Sequence, residues 1–481
     1  MPQDPAIVWF RSDLRLGDNP ALAAAMATGA PLLIVYILES GDDLRARGGA
    51  SHWWLHHSLD QLSQDLAERG GRLDFFQGRA LTLIPQLAAA FGASHVFWNR
   101  RYDAAGIEID KALKATLSKT DVHAESFNGQ LLHEPWTVAT KSNGPFKVFT
   151  PYWRACLAMP EPAAPKRAPG KIQAAPWKRA APERCKLADL DLLPRKPDWA
   201  GGLRETWTPG EAGARARLST FLDETLAGYA DRRDRPDQPA TSRLSPHLAF
   251  GEISPRQIWH AAQHARQRSP SVGSDVAKFL SEIGWREFSY HLLFYYPDLA
   301  RENFNDRFDG FPWRKSVKDL RAWRKGLTGY PIVDAGMREL WQTGFMHNRV
   351  RMITASFLIK HLLLDWREGE AWFWDTLVDA DPANNAASWQ WVAGSGADAA
   401  PYFRIFNPIL QGEKFDPHGR YVRQFVPELA EMPDAYVHKP WTAPAEVLKK
   451  ADVTLGKTYP KPIVDHAEGR ARALAAFKGL D

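Results

Sequence analysis

The chain has 481 residues, 44% of them hydrophobic and 24% charged, which is too long for one compact core, so at least two domains are expected. Its net charge of +5 is compatible with a polyanionic partner and equally with ordinary surface charge, because net charge says nothing about clustering. Two cysteines, Cys156 and Cys185, exclude a thiolate metal cluster and a disulfide scaffold. No apolar run is long enough to span a bilayer and the start lacks a signal-peptide pattern, so a cytoplasmic protein is expected.

The first segments alternate between two periods. AIVWF at 6–10, PLLIVYIL at 31–38, RLDFF at 72–76 and SHVFW at 94–98 are short β-branched and aromatic runs of the kind that form buried strands. Between them lie helical stretches, one with Leu55, Leu59, Leu62 and Leu66 on one face and Gly70-Gly71 at its end. This alternation predicts a parallel sheet with crossover helices, an α/β Rossmann-like domain over 1–135. Such sheets take ligands at the carboxyl ends of their strands. No GxGxxG or phosphate-loop sequence is present, and GSGADA at 394–399 lacks the third glycine.

Residues 136–211 read as an interdomain linker, richest in Ala, Pro, Lys and Arg over 157–200. From 212 the pattern turns helical and stays so to about 430, which predicts an all-α second domain over 212–481, with a short last helix at AEGRARALAAF.

Within that domain, TSRLSPHLAFGEISPRQIW at 241–259 opens with hydroxyl residues before a helical run. Those residues read either as a plain N-cap or as an anion site. In SEIGWREF, 281–288, Glu282, Trp285 and Arg286 share a helix face. They form either a solvated salt bridge beside a core tryptophan or the lining of a pocket. HNRVRM, 347–352, places Asn348, Arg351 and Met352 on one face with Arg349 turned away, and DAD at 379–381 offers paired carboxylates. None of these has metal-ligand spacing. NNAASWQW, 384–391, belongs to a chain with 20 tryptophans and 12 tyrosines. At about 100° per residue, Asn385 and Trp389 share a face, while Trp389 and Trp391 are about 200° apart and point to nearly opposite sides. Two core indoles at a helix crossing satisfy this pattern, and so does one indole inside with the other facing a cavity.

Together the stretches WFRSDLRLGDNPAL, TSRLSPHLAFGEISP, WREF, TGYPIVDAGMRELWQTGFMHNRVRM, DADPANNAASWQW, FRIFNP and QGEKFDPHGRYVR closely resemble the photolyase/cryptochrome family from residue 5 to about 475. SHWWLHHSL at 51–59 and FWDTLVDAD at 373–381 are most similar to the bacterial class III branch near plant cryptochromes.

The resemblance implies an antenna domain, a linker, and a helical domain that holds FAD, reduced in the active form. It implies light-driven repair of cyclobutane pyrimidine dimers (CPDs) in DNA: an electron passes from reduced FAD to the dimer, the ring splits, and the electron returns. Tyr229 and Thr241, Ser242, Arg243, Leu244 and Ser245 would hold the FAD phosphates. Glu282, Trp285, Arg286, Asn348, Arg351, Asp379, Ala380, Asp381 and Asn385 would line the flavin and substrate cavity, with Arg351 paired to Asp379. Asn385 would face flavin N5. Photolyases carry Asn at that position and plant cryptochromes carry Asp. Trp389, Trp366 and Trp313 match the electron-transfer triad, with Trp313 nearest solvent. Trp285 and Trp391 match the indoles that stack the flipped dimer, Glu282 would hydrogen-bond it, and Asn348 and Met352 would meet the substrate. Arg233, Arg349 and Arg404 would contact phosphates. Phe345 and Phe279 stand where many relatives carry Trp, and are expected to remain apolar walls.

The antenna implied is 5,10-methenyltetrahydrofolate, with 8-hydroxy-deazaflavin as the alternative, near Glu39 and the 51–59 helix. The partner implied is dimer-containing DNA, bound by a monomer with no membrane involved. A cryptochrome photoreceptor, a (6-4) photolyase and a basic DNA-binding protein with packing tryptophans are the competing readings. Asn385, the Trp285/Trp391 pair and the lone His347 argue against the first two.

Overall fold

The computed structural model describes residues 4–41, 44–399 and 403–480. Strands β1 (Ala6–Phe10), β2 (Leu32–Glu39), β3 (Leu73–Gly78), β4 (His95–Asn99) and β5 (His123–Phe127) form one sheet in the order β3-β2-β1-β4-β5. Every pairing is parallel, with Val8 of β1 level with Ile34 of β2 and Phe97 of β4. Helices α1 (Pro20–Ala27), α2 (Gly49–Ala67), α3 (Ala80–Phe91) and α4 (Ala104–Leu117) supply the crossovers. The α/β Rossmann-like expectation is met, with β5 as a strand beyond those read from sequence.

Strand alternation divides the core in two. Ala6, Val8 and Phe10 face Leu22 of α1 and Trp54, Leu55 and Leu59 of α2. Ile7 and Trp9 face Ile84 and Leu87 of α3 and Leu113 of α4. Central strands buried on both sides need apolar residues at every position, which is why AIVWF has no polar interruption.

The crevice between β1 and β4, where the strand order reverses, is plugged by the protein itself. Arg11, just past β1, donates from Nη1 to Asp110 of α4 at 2.8 Å and from Nε and Nη2 to the Asn99 carbonyl that ends β4. The motif behind it welds the two halves of the molecule together. Arg15 donates to the carbonyls of Gly129 and Gly251, Asp18 pairs with Arg256 at 2.9 Å, and Glu211 accepts from the backbone of Leu16.

Residues 136–211 are less irregular than their composition suggests. The run 172–185 adds backbone bonds to the sheet, from Ala175 to Leu32 and from Cys185 to Phe75. Phe149–Leu157 is a helix that lays Tyr152, Trp153 and Cys156 against the 23-residue helix Gly273–Tyr295. The approach is so close that a Cβ on Gly284 would lie 2.6 Å from the Trp153 ring. Beyond 212 the molecule is helical through Arg420–Phe425, and His466–Lys478 is the last helix, as the periodicity predicts. One element differs. The helix expected after Thr241-Ser242 begins at Ser245, capped by Leu244 without a side-chain bond. Pro246 fits only the first turn of a helix, so it fixes the start there.

Candidate functional site

Four helical segments converge on one face of the second domain: Tyr229–Arg232, Gly273–Tyr295, Asn348–Ser356 and Asn384–Ala393. The DAD segment lies between them. Asp379 Oδ2 accepts from Arg351 Nη2 at 2.8 Å and from the Ser245 hydroxyl at 2.6 Å, while its Oδ1 is buried without a partner. The predicted Arg351–Asp379 pair is therefore present, and Ser245 donates its hydroxyl to Asp379. Asp381 Oδ2 accepts from Tyr290 Oη at 2.5 Å, and its Oδ1 accepts from the backbone of Ala383 and Asn384. The second carboxylate thus fixes the start of the helix that carries NNAASWQW. Ala380 is buried between them.

Asn385 is buried and donates from Nδ2 to Glu370 Oε1 at 2.9 Å and to the Glu370 carbonyl at 3.0 Å. Its amide hydrogens are spent there, which leaves Oδ1 to meet a donor. Glu370 is gripped in turn by both terminal nitrogens of Arg45, each at 2.7 Å. Arg45 lies over the Trp374 ring, 4.0 Å from its centre.

The two tryptophans of that helix separate as their angle predicts. Trp389 is 2% exposed and packs edge-on against Phe373 at 4.9 Å and Trp323 at 6.2 Å. Its ring tip reaches the Trp366–Thr376 helix so closely that a Cβ on Gly369 would lie 2.1 Å away. Trp366, one turn earlier on that helix, is fully buried and donates to Asn303 at 3.0 Å. Half-buried Trp313 packs at a 42° tilt against Phe311, with ring centres 4.3 Å apart. Its neighbour Arg314 donates a backbone bond to Leu363, just ahead of Trp366. Trp389 and Trp366 are thus buried, and Trp313 is the one of the three that reaches solvent.

Trp391 is partly exposed and donates from its ring to the Asp398 carbonyl at 2.9 Å. Trp285, also partly exposed, stacks flat on Phe149, with centres 3.8 Å apart and planes 10° apart. The two walls are tied together, because Asp398 also donates its backbone N–H to Lys147, two residues before Phe149. Phe149 lies in the segment that reads as linker, and nothing in its local sequence marks it as part of a site.

Glu282 is held by both terminal nitrogens of Arg233, with Lys278 Nζ 3.1 Å away. The guanidinium of Arg233 is thus committed to a carboxylate and only 12% exposed. Arg286 turns inward, to the Gln130 carbonyl at 2.7 Å and the Tyr290 ring at 4.8 Å. Glu282 and Trp285 lie partly open to solvent while Arg286 is buried, so the expected shared face splits. Asn348 is exposed at the first turn of its helix. Arg349 does not turn away from Met352 as expected, because its long side chain folds back to put Nη1 3.9 Å from the Met352 sulfur. Arg349 and Arg404 line one open groove.

Tyr229 packs edge-on against Phe279 and Phe221. Phe345 lies between two guanidiniums, Arg243 at 4.8 Å and Arg351 at 5.1 Å. Both phenylalanines are buried walls. Arg243, at φ 51°, has an unpartnered buried Nε. Burial lowers its pKa, and Glu339 and Asp379 oppose the shift. Thr241 and Ser242 are partly exposed ahead of it and Leu244 is buried.

Residues 6–170 match the family described as DNA photolyase, and residues 279–479 match the FAD binding domain of DNA photolyase. The chain is 57% identical over 476 residues to a deoxyribodipyrimidine photo-lyase of Agrobacterium fabrum, covering 99% of this chain and 98% of that one. The chain belongs to the photolyase/cryptochrome family. Within that family it is 38% identical to Arabidopsis thaliana cryptochrome-1, over 99% of this chain and 70% of that one. Among solved structures it is similar to a bacterial class III photolyase from Agrobacterium tumefaciens, at 56% identity and a TM-score of 0.96. That match covers 100% of this chain and 98% of the other. Synechocystis cryptochrome is similar at 29% identity and a TM-score of 0.88, over 99% and 100%. Among the described residues of this photolyase/cryptochrome chain, no helix is long and apolar enough to cross a membrane, and no three His, Cys, Asp or Glu side chains group as metal ligands.

Proposed function

We propose that this protein repairs cyclobutane pyrimidine dimers in DNA by light-driven electron transfer, with FAD held in the helical domain over 212–481. The carrying observation is the pair of half-open indoles, Trp285 backed by Phe149 and Trp391 held by Asp398, beside the carboxylate of Glu282. A core role would bury both rings. The residues present fit a bound polar cofactor, since Asp379 Oδ1 and Arg243 Nε are buried atoms that lack a partner.

FAD, when bound and reduced, supplies on excitation the electron that opens the dimer and takes it back. The chain's own residues do the rest. Arg351 and Ser245 hold Asp379, Tyr290 holds Asp381, and Glu370 holds the Asn385 amide by its N–H end, so that Oδ1 would be the atom offered to the cofactor. Tyr229 and the 241–245 segment, with Arg243, take the phosphates, and Arg286 fixes the Gly273–Tyr295 helix against residue 130. Trp389, Trp366 and Trp313 would carry an electron inward to an oxidised flavin.

Extracting a dimer from the stack costs a few kcal/mol, less at a damaged site. Stacking on Trp285 and Trp391 returns roughly 1–3 kcal/mol per base. Glu282, positioned by Arg233, accepts a hydrogen bond from the dimer, and Asn348 and Met352 complete the wall. Arg349 and Arg404 meet phosphates.

The antenna domain is assigned to 1–135 and the linker to 136–211. Glu39 ends β2 and pairs with Arg101 at 2.7 Å, yet Glu39 Oε1 and Arg101 Nε and Nη2 are buried without hydrogen-bond partners. A carboxylate oxygen facing an N–H-rich heterocycle suits a folate, our first assignment, with the deazaflavin second.

The test is the absorption spectrum of the purified protein, identification of the pigments released on denaturation, and repair under blue light. Repair of cyclobutane dimers, absent in the dark and absent for (6-4) lesions, is expected. A flavin-free protein, or flavin without light-dependent repair, overturns the reading.

A further inference from the structure

Arg349, assigned above to a DNA phosphate, already holds an anion. Its Nη2 lies 2.5 Å from Asp234 Oδ2, and its guanidinium stacks over Phe415, 4.5 Å from the ring centre. Asp234 stands between two arginines, with Arg233 Nε 3.8 Å from its other oxygen. The pair is reachable from solvent, with 35% of the Asp234 side chain and 20% of the Arg349 side chain exposed. It borders an open groove of about 580 Å³ lined also by Asp231, Arg404, Lys414 and Phe415. A carboxylate and a phosphodiester present a guanidinium with the same thing, two anionic oxygens spaced for its N–H groups.

We propose that Asp234 is an intramolecular stand-in for a DNA phosphate, so that DNA binds by exchanging one carboxylate for one phosphate at Arg349. The inference rests on the DNA-repair reading above. In the free protein the exchange partner keeps Arg349 stacked on Phe415 and pointed at the groove, ready for the phosphate. On release, the carboxylate recaptures the guanidinium. Since every duplex offers phosphates, the competition weakens binding to damaged and undamaged DNA by the same factor. It leaves the extra grip of Trp285 and Trp391 on a dimer intact, so the protein spends less time on undamaged sequence.

The experiment measures Kd in the dark for the FAD-loaded protein on an undamaged duplex and on the same duplex with one dimer. Asp234→Asn is expected to tighten both roughly two- to fivefold, the scale of a partly exposed ion pair. Asp231→Asn, a neutralised carboxylate in the same groove without an ion pair to Arg349, is expected to change Kd less. In an Arg349→Ala background the gain from Asp234→Asn should vanish. Asp234→Ala serves as a second variant, with FAD content and melting temperature confirming that each protein is folded. The proposal is overturned if Asp234→Asn leaves Kd unchanged or raises it, if Asp231→Asn matches it, or if the gain persists without Arg349. Wild-type binding indifferent to both salt and the dimer would remove the DNA-repair reading itself, and this proposal with it.

Discussion

Asn385 is fixed by Glu370: its Nδ2 lies 2.9 Å from Oε1 and 3.0 Å from the main-chain oxygen. Asparagine has a donor end and an acceptor end of nearly the same shape. The buried Glu370 decides which end is left without a protein partner and, in the proposed function, would meet the flavin; Arg45, from the first domain, holds Glu370. Glu370→Ala should remove the side-chain acceptor of one buried amide N–H of Asn385, leaving only the main-chain oxygen of residue 370, at a cost of about 1–3 kcal/mol in denaturant unfolding. It should also slow photoreduction, because the amide is held by one bond in place of two. A Glu370→Ala protein with unchanged unfolding midpoint and unchanged photoreduction would show that the orientation of Asn385 is set elsewhere.

Trp366→Phe and Trp313→Phe should each block photoreduction of oxidised FAD, while chemically reduced protein still repairs dimers. In the route proposed above, Trp389, Trp366 and Trp313 would supply an electron and take no part in ring opening. Trp389 also touches Trp323, and a flat Trp341–Trp372 stack lies at the surface, with Trp341 60% exposed. Photoreduction that survives both substitutions and is lost in Trp323→Phe would transfer the role to that second aromatic route.

Acid should loosen the wall behind Trp285 before it unfolds the molecule. His291 donates from Nδ1 to the Pro135 carbonyl at 3.2 Å and accepts at Nε2 from the Phe146 N–H at 3.0 Å. Burial drives its pKa down to about 4, with the Pro135 bond opposing. A folded pKa below the unfolded value of about 6.5 means that the unfolded chain binds more protons between the two, so stability rises with pH across that window. The contribution is complete above about pH 6.5 and is lost as pH falls toward 4. Glu287 acts with the opposite sign. Burial raises its carboxyl to about 7, against Arg286 and the N–H groups of Leu132 and His133, so its share of stability declines as pH rises from about 4.3 to 7. His291→Gln should therefore flatten the acid limb of the unfolding free energy, and Glu287→Gln should steepen it. Denaturant melts at several pH values decide this, and equal slopes in both variants would dismiss both assignments.

The parts of this structure legible in the sequence are those governed by local periodicity. Every residue of AIVWF is buried, so the run announced a central strand, and helical geometry alone separated Trp389 from Trp391. What stayed hidden depends on contacts across long stretches of chain. Nothing near Arg11 shows that its guanidinium fills the switch-point crevice, because its partners, Asn99 and Asp110, lie 88 and 99 residues away. Arg45 meets Glu370 across 325 residues, and Asp234 meets Arg349 across 115. Phe149 was masked by its neighbours. A Lys- and Pro-rich surrounding reads as linker, although the helix it opens packs into the second core.

Trp391 and Trp389 should be separable by mutation, because their surroundings differ in kind. Trp391 has one ring bond, to Asp398, and a partly open face, so truncating it leaves no closed void. Trp391→Ala should keep FAD content and photoreduction near wild type and weaken binding of dimer-containing DNA by about 1–3 kcal/mol, the worth of one stacked base. Undamaged DNA should bind nearly as before. Trp389 is enclosed by Phe373, Trp323 and the backbone at Gly369, so Trp389→Ala opens a cavity and should cost about 3–5 kcal/mol of stability. The milder Trp389→Phe keeps most of the volume and should lose photoreduction while sparing lesion affinity. Measuring unfolding, photoreduction and lesion binding on all three proteins tests the assignment. If Trp391→Ala unfolds or sheds FAD while its folded fraction binds the dimer normally, Trp391 is a packing residue and the substrate wall must be sought elsewhere.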